Sequence, residues 1–356
     1  MKPAATSILL GLGLVVAGCL FDGVEKHDLG TTPAELGDGW EIGAPEDVGL
    51  SRAALDGIHH ELLREDRWFG SLGFLVIKDG LLVYETYFRT TADRDHVHHL
   101  QSVTKSVTSL MLGIARDQGH VASLELTVGE LFPDKLGGVD PRTPSITLEQ
   151  LLTMRSGLSF DNDVFSVEMW VEKPRDPLHY ILKKPLFAAP GERYDYRDAD
   201  PQLVGYALSR LTGQRESELA RETLFDALDI RDVYWEHGWD GVSLAAHGLH
   251  LRPRDLAKVG QLVLDRGVFR GQRVVSAEWI ELATAEQTRS DREDLGYGYY
   301  FWVVPGVGVA GWGHGGQYVL IVPDRNLVLV HVALPDSDLH GGRLSDFVGL
   351  VRPLLP

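Results

Sequence analysis

Cysteine occurs once in 356 residues, as Cys19. No intrachain disulfide is therefore possible, and there is no thiolate-rich metal site. Basic residues are in deficit: 34 Lys and Arg stand against 51 Asp and Glu, a formal charge of −17. Phosphate binding needs a basic face, so the balance argues against nucleic acid as the main partner. Long apolar runs are missing too. The run Ile8–Ala17 is too short to cross a bilayer as a stop-transfer helix. No internal repeat or low-complexity block appears beyond residue 45. What remains is a globular composition, 44 % hydrophobic and 24 % charged, long enough for one large or two small domains.

The N-terminus reads as an export signal, with Lys2 before the apolar Ile8–Ala17 segment. The segment closes on Val16-Ala17-Gly18-Cys19 and resembles the bacterial lipobox, whose cysteine is diacylated and becomes the mature N-terminus. That resemblance implies a signal peptide over 1–18 and a lipid anchor at Cys19. Residues 19–44, with their Gly, Asp, Glu and Thr, then form a flexible tether to a domain over 45–356. The protein would be exported and held at a membrane of the cell envelope, on its periplasmic or outer face. An ordinary signal peptide with an incidental cysteine is the alternative.

Strands gather at the two ends of the domain. Leu72–Lys78 and Leu81–Phe88 flank Asp79-Gly80, a hairpin signal. Strands return at Tyr297–Val304, Tyr318–Val322 and Leu327–Val332. Helical patterns lie between them. Gln101–Gln118 puts Val103, Val107, Leu110, Met111 and Ile114 on one face and stops at Gly119. Thr147-Leu-Glu-Gln150 is a capping box opening a short helix ended by Gly157, and Asp200-Pro201 reads as an N-cap with Pro at the first helical position. Arg254–Leu264 and Ala277–Ala285 are helical as well. The expected class is α+β: an antiparallel sheet assembled from distant segments, flanked by helices, with an inserted helical lobe.

Several motifs fail. No Gly-x-Ser-x-Gly and no His-Glu-x-x-His occurs. Gly306-Val-Gly308-Val-Ala-Gly311 leads into a strand rather than a helix, which argues against a dinucleotide site. His96-Val-His98-His99 reads as solvated or hydrogen-bonded histidines rather than a metal site. No cofactor and no metal is expected. Ser102-Val-Thr-Lys105 survives, because a spacing of three stacks both side chains on one helical face. A serine hydroxyl needs a base beside it to act as a nucleophile, and a desolvated lysine near a helix N-terminus is expected to have a depressed pKa. A capping serine with a surface lysine is the alternative.

Two later segments join that pair. Tyr196 lies in Pro190-Gly-Glu-Arg-Tyr-Asp-Tyr-Arg-Asp198, just ahead of a capped helix, and Gly311-Trp-Gly-His314-Gly315-Gly316-Gln317 begins a late strand. Ser-x-x-Lys, the tyrosine and the glycine-rich strand, in that order, resemble the penicillin-recognising serine hydrolases: class C β-lactamases, related esterases and DD-peptidases, including the 6-aminohexanoate-dimer hydrolase branch. Ile146–Gly157 and Pro190-Gly191 carry the same resemblance, which runs from about residue 45 to residue 335. It implies a β-lactamase/transpeptidase-like fold with the site in the cleft between two lobes. It implies Ser102 as the nucleophile of an acyl-enzyme, with Lys105 and Tyr196 sharing proton transfer. The backbone N–H groups of Ser102 and Gln317 would form the oxyanion hole, and Gly315 and Gly316 would let substrate lie along the strand.

The pattern departs from the family at two positions. Asp198 stands where the family usually has Asn. If it reaches Lys105, it is expected to keep that lysine protonated and leave Tyr196 as the main base; otherwise it extends the helix cap. His314 stands where β-lactamases often carry Lys for the drug carboxylate, and a histidine is mostly neutral at pH 7. That tilts the reading toward a small neutral ester or amide. A β-lactamase or D-alanyl-D-alanine carboxypeptidase is the alternative, and a non-catalytic binding or sensor lipoprotein a third. Tyr196 and His314 also admit packing roles, and core packing is the default for Trp302 and Trp312.

Overall fold

The computed structural model describes residues 25–162, 174–334 and 342–356. Cys19 and the signal-peptide reading lie outside the described residues. A nine-stranded sheet forms the frame. Its strands run in the spatial order β1 (Glu41–Ile42), β3 (Leu81–Tyr87), β2 (Ser71–Lys78), β14 (Leu327–Ala333), β13 (Gln317–Val322), β12 (Gly308–Gly313), β11 (Trp302–Val304), β10 (Gly296–Tyr297) and β9 (Thr288–Arg289). Every pairing is antiparallel except β1 with β3. The expected Asp79-Gly80 hairpin joins β2 to β3, and β2 pairs directly with β14 from the far end of the chain. The segment Tyr297–Val304, expected as one strand, is two. Tyr300 takes a left-handed φ of 63° between β10 and β11, and its carbonyl turns to accept from Ser106 Oγ at 2.7 Å.

Helix α1 (Arg52–Arg64) and helix α6 (Pro253–Leu264) pack on the sheet, whereas α3 (Leu148–Leu152), α4 (Ala199–Thr212) and α5 (Glu216–Ala220) belong to the helical lobe. Between the two lies α2 (Val103–Asp117), packed against β12 and β13 on one side, α4 on another and α7 (Ala277–Thr284) on a third. All thirteen residues from Val103 to Ala115 are buried. The sequence pattern reads α2 as amphipathic, yet its polar face meets protein rather than water. Small hydroxyls make this possible: Thr108 Oγ1 donates to Ala245 O at 2.9 Å, and Thr104 Oγ1 accepts from Leu249 N at 3.1 Å. These two hydroxyls keep partners, which lowers the cost of burying them, whereas Ser109 Oγ is buried without one among the described residues.

Close approach of the sheet to the start of α2 depends on Gly313. A Cβ there would meet Leu100 O at 2.4 Å and Gln101 Cβ at 3.0 Å. A small sheet, β4 (His98–His99), β6 (Leu249–Leu251) and β5 (Val233–Trp235), leads the chain into the same point, and β7 (Val268–Phe269) with β8 (Gln272–Arg273) forms a separate ribbon.

Two expectations about boundaries change. Helix α4 begins at Ala199, so Asp200 sits inside its first turn. Its carboxylate accepts from Ser156 Oγ at 2.6 Å instead of capping, and burial raises its pKa to about 6. The described part of the expected tether is anchored to the domain. Lys26 Nζ donates to Leu62 O and Trp68 O at 2.6 and 2.9 Å, and buried Trp40 donates its indole N–H to Arg254 O at 3.1 Å. Buried Arg254 in turn pairs with Asp38 and Glu85. A polar composition signals flexibility only while its few anchoring groups lack partners; here they have them.

Candidate active site

Ser102 occupies the N-cap position of α2, but its hydroxyl makes no capping hydrogen bond. Its Oγ instead accepts from Lys105 Nζ at 2.8 Å. Lys105 is not a surface residue: it is 1 % exposed. Nζ also donates to Ala246 O at 2.9 Å and lies 2.7 Å from Asp198 Oδ1. Ser102, Ala246, Asp198 and Tyr196 thus share the three N–H groups of the ammonium.

Asp198 therefore reaches Lys105 rather than capping α4, where its side chain makes no cap bond. Burial works against the charge of Lys105, but the Asp198 carboxylate and Tyr196 together outweigh it and hold the lysine above its ordinary pKa. The depressed pKa expected from desolvation and the helix dipole is thus overturned. Burial opposes the charge of Asp198 too, yet Lys105, His247 and Arg292 together hold its pKa below the usual carboxylate value. The pair is fully charged at neutral pH, and a charged Lys105 has no lone pair with which to take a proton. It can orient Ser102 Oγ as an acceptor, leaving the hydroxyl proton to another base.

Tyr196 lines the same cleft as Ser102. Its ring stacks on Trp302 at 5.5 Å and meets Tyr297 edge-on at 6.2 Å, so neighbouring rings fix its orientation. Two cations face the ring: Lys105 Nζ at 5.0 Å from the centroid and Arg292 Cζ at 4.7 Å. Gln101, Ser102, Tyr196, Asp198 and His314 line one cleft of about 510 Å³. His314, Gly315 and Gly316 form the turn between β12 and β13 rather than the start of a strand. Gly315 and Gly316 hold φ of 74° and 97°, a conformation that other residues adopt only with strain. Gln317 opens β13 with its side chain committed inward, Nε2 donating to Ala333 O at 2.7 Å and Oε1 accepting from Ala333 N at 3.1 Å. The residue is fully buried. Trp302 is buried and Trp312 half-buried, and both line the cleft.

The Beta-lactamase family model matches residues 59–333, 275 of the 356 residues. The chain belongs to the Beta-lactamase family. A 6-aminohexanoate-dimer hydrolase of Paenarthrobacter ureafaciens is 28 % identical over 292 residues, covering 74 % of this chain and 73 % of that protein. Among solved structures, a penicillin-binding protein homologue from Caulobacter crescentus aligns with a TM-score of 0.69 at 17 % identity, over 91 % of this chain and 98 % of that one. A family VIII carboxylesterase aligns with a TM-score of 0.68 at 16 % identity, over 88 % and 98 % of the two chains. These two likenesses show a shared fold, the α+β arrangement of sheet and helical lobe. Members of the Beta-lactamase family are serine hydrolases, and this chain is an enzyme of that class.

In this Beta-lactamase family member, four cleft residues carry no signal in the sequence. Asn162 accepts from Asp198 N at 2.8 Å through Oδ1, and Gln101, His247 and Arg292 line the same space. His247 is held neutral by burial, although Asp198 Oδ2 lies 3.9 Å from its Nδ1. Gln101, directly before the nucleophile candidate, has a left-handed φ of 51°. That conformation is strained for a side-chain residue and is held by neighbours. The Gln101 N–H donates to His99 Nδ1 at 3.0 Å, and His99 and His250 both face Glu236, at 3.7 and 2.9 Å. Their ligand atoms lie within 4.8 Å of one another, the compactness of a metal triad. However, an accepting Nδ1 leaves the proton of a neutral ring on Nε2, toward Glu236. The cluster braces the backbone at Gln101, next to Ser102. His98 belongs to another contact, its Nε2 lying 2.6 Å from Asp93 O.

Proposed function

We propose that this enzyme hydrolyses small esters or amides through an acyl-enzyme on Ser102. The observation that carries the reading is the 2.8 Å bond from buried Lys105 Nζ to Ser102 Oγ, inside a cleft that Tyr196 also lines. Tyr196 takes the Ser102 proton as Oγ attacks the carbonyl, and passes it to the leaving amine or alcohol. Lys105, kept cationic by Asp198, fixes Oγ and supports negative charge on Tyr196. The backbone N–H groups of Ser102 and Gln317 are assigned the developing oxyanion. Tyr196 then draws a proton from water, which attacks the acyl group and frees Ser102. The likeness to the Paenarthrobacter ureafaciens hydrolase and to a carboxylesterase agrees with ester or amide substrates.

The test is steady-state hydrolysis of a short-chain activated ester, an anilide and a penicillin by the wild type and by Ser102→Ala. The reading expects Ser102-dependent turnover of the ester or the anilide exceeding that of the penicillin. Faster opening of the penicillin would make the protein a β-lactamase, and loss of all Ser102 dependence would make it a binder. We also propose that the chain is exported and anchored through a lipid on Cys19. A lipid mass on the mature N-terminal peptide supports this, and an unmodified Cys19 refutes it.

A further inference from the structure

Three side chains converge where the small sheet leads into Gln101 and Ser102. His99 and His250 are direct cross-strand partners of β4 and β6, with ring centroids 4.5 Å apart. Tyr234 of β5 faces His250 from the other side, so Glu236, two residues further on, falls on the same face. Glu236 Oε1 lies 2.9 Å from His250 Nε2 and 3.7 Å from His99 Nε2. Gly248 keeps room beside that side chain, because a Cβ there would meet Glu236 Cβ at 3.1 Å and Leu244 Cβ at 2.8 Å. All three side chains are half-buried, so each keeps part of its surface in contact with solvent.

Two imidazole nitrogens and a carboxylate oxygen suit zinc and its first-row neighbours rather than magnesium or calcium, which take oxygen ligands. Tetrahedral zinc, with bonds of about 2.0–2.1 Å, places its ligand atoms roughly 3.3 Å apart. The two distances to Glu236 Oε1 bracket that value, and all three ligand atoms lie within 4.8 Å of one another. Water completes the coordination of a site with three protein ligands.

A histidine that gives its Nε2 lone pair to a metal carries its proton on Nδ1. His99 Nδ1 accepts the Gln101 N–H at 3.0 Å, and a protonated Nδ1 cannot. Metal and brace are therefore mutually exclusive states of one ring. We propose that His99, Glu236 and His250 form a site for a divalent transition-metal ion such as zinc, and that its occupation releases Gln101 and slows the enzyme. On a neutral His99 the proton only changes nitrogen, while the Glu236 carboxylate supplies negative charge to the ion. Gln101 then loses a contact that holds its left-handed φ of 51°, and Ser102 is the next residue in the chain. The inhibition rests on the acyl-enzyme reading of Ser102; the metal site does not.

The test reads zinc binding and zinc inhibition separately, on purified protein prepared without a histidine tag. Titration calorimetry with zinc chloride should show a single site per chain that is lost in His250→Asn and in Glu236→Gln, and magnesium chloride should give no such site. Turnover of an activated short-chain ester is then measured with zinc and again with excess EDTA. In the wild type zinc should lower kcat by roughly tenfold with KM little changed, the worth of about one hydrogen bond at the nucleophile. In the two variants the values with zinc and with EDTA should coincide. Absence of a saturable zinc site, equal binding of magnesium, or a site retained in both variants overturns the metal site. A site lost in both variants while wild-type kcat ignores zinc overturns the coupling to Gln101. Absence of Ser102-dependent turnover in EDTA overturns the acyl-enzyme reading instead, and calorimetry still decides the metal site.

Discussion

Replacing Asp198 by Asn keeps the side-chain shape and removes one charge from the centre of the site. Lys105 Nζ lies 2.7 Å from Asp198 Oδ1, with the lysine 1 % and the aspartate 16 % exposed. An effective dielectric near 20 gives about 4 kcal/mol for unit charges at 4 Å and roughly 6 kcal/mol at this separation, before desolvation is subtracted. Stranding the surviving charge of a buried pair costs about 3–5 kcal/mol. Lys105 can escape part of that cost by losing its proton. Burial is the largest influence on it, and without Asp198 only Tyr196 opposes burial, so its pKa is expected to fall below the ordinary lysine value.

The sign of the pH effect then reverses. In the wild type the raised Lys105 pKa contributes stability that is complete below about pH 10.4 and lost only as pH climbs through the folded value. In Asp198→Asn the folded state gives up a proton that the unfolded chain retains, so stability rises with pH until about pH 10.4. Calorimetric Tm values from about pH 7 to about pH 10 should show the variant's deficit shrinking as pH rises. The alkaline limb of kcat/KM for an activated ester should move to lower pH, because the protonated Lys105 is what donates to Ser102 Oγ. A constant Tm deficit across that range, with an unchanged pH–rate profile, would refute the reasoning.

Glu236→Gln removes the charge on which His99 and His250 converge, and His99 holds the strained Gln101 beside Ser102. Its kcat should fall roughly tenfold with KM little changed and the fold intact by circular dichroism, about what one charge-assisted hydrogen bond supplies; an unchanged kcat would show that the brace does not position the nucleophile. Glu216 is fully buried in the helical lobe, and burial raises its pKa to about 8. A carboxyl raised in the folded state stabilises below the unfolded pKa of about 4.3, and that contribution is lost as pH climbs toward the folded value. Glu216→Gln should therefore raise Tm relative to the wild type at alkaline pH and not near pH 4; a pH-independent difference would contradict this.

Local chemistry made part of this legible in advance. Asp79-Gly80 has the backbone preferences of a tight hairpin, and Thr147 with Gln150 forms the reciprocal cap that its spacing implies. The stacking of Ser102 and Lys105 follows from helical geometry alone. Harder to see was anything decided by distant partners. Helix α2 is buried on its polar side because Ala245 and Leu249 supply partners to Thr108 and Thr104, and no local pattern reveals that. Residues 34–40 are held by Arg254, more than two hundred positions away. Desolvation alone predicts a depressed Lys105, and the sign of its shift turns on whether Asp198 reaches it, which the sequence leaves open. Arg292 and Asn162 come from segments whose sequences carry turn and charge signals but no periodicity, so their arrival in the cleft is a property of the assembled fold.

Trapping the acyl-enzyme tests the central claim most directly. The purified protein is mixed with an activated short-chain ester, quenched in acid during turnover, weighed intact and mapped by peptide. A single acyl increment on the peptide bearing Ser102, absent from Ser102→Ala, is the predicted result. An increment on another residue, or one that persists in Ser102→Ala, would contradict the assignment of Ser102 as the nucleophile.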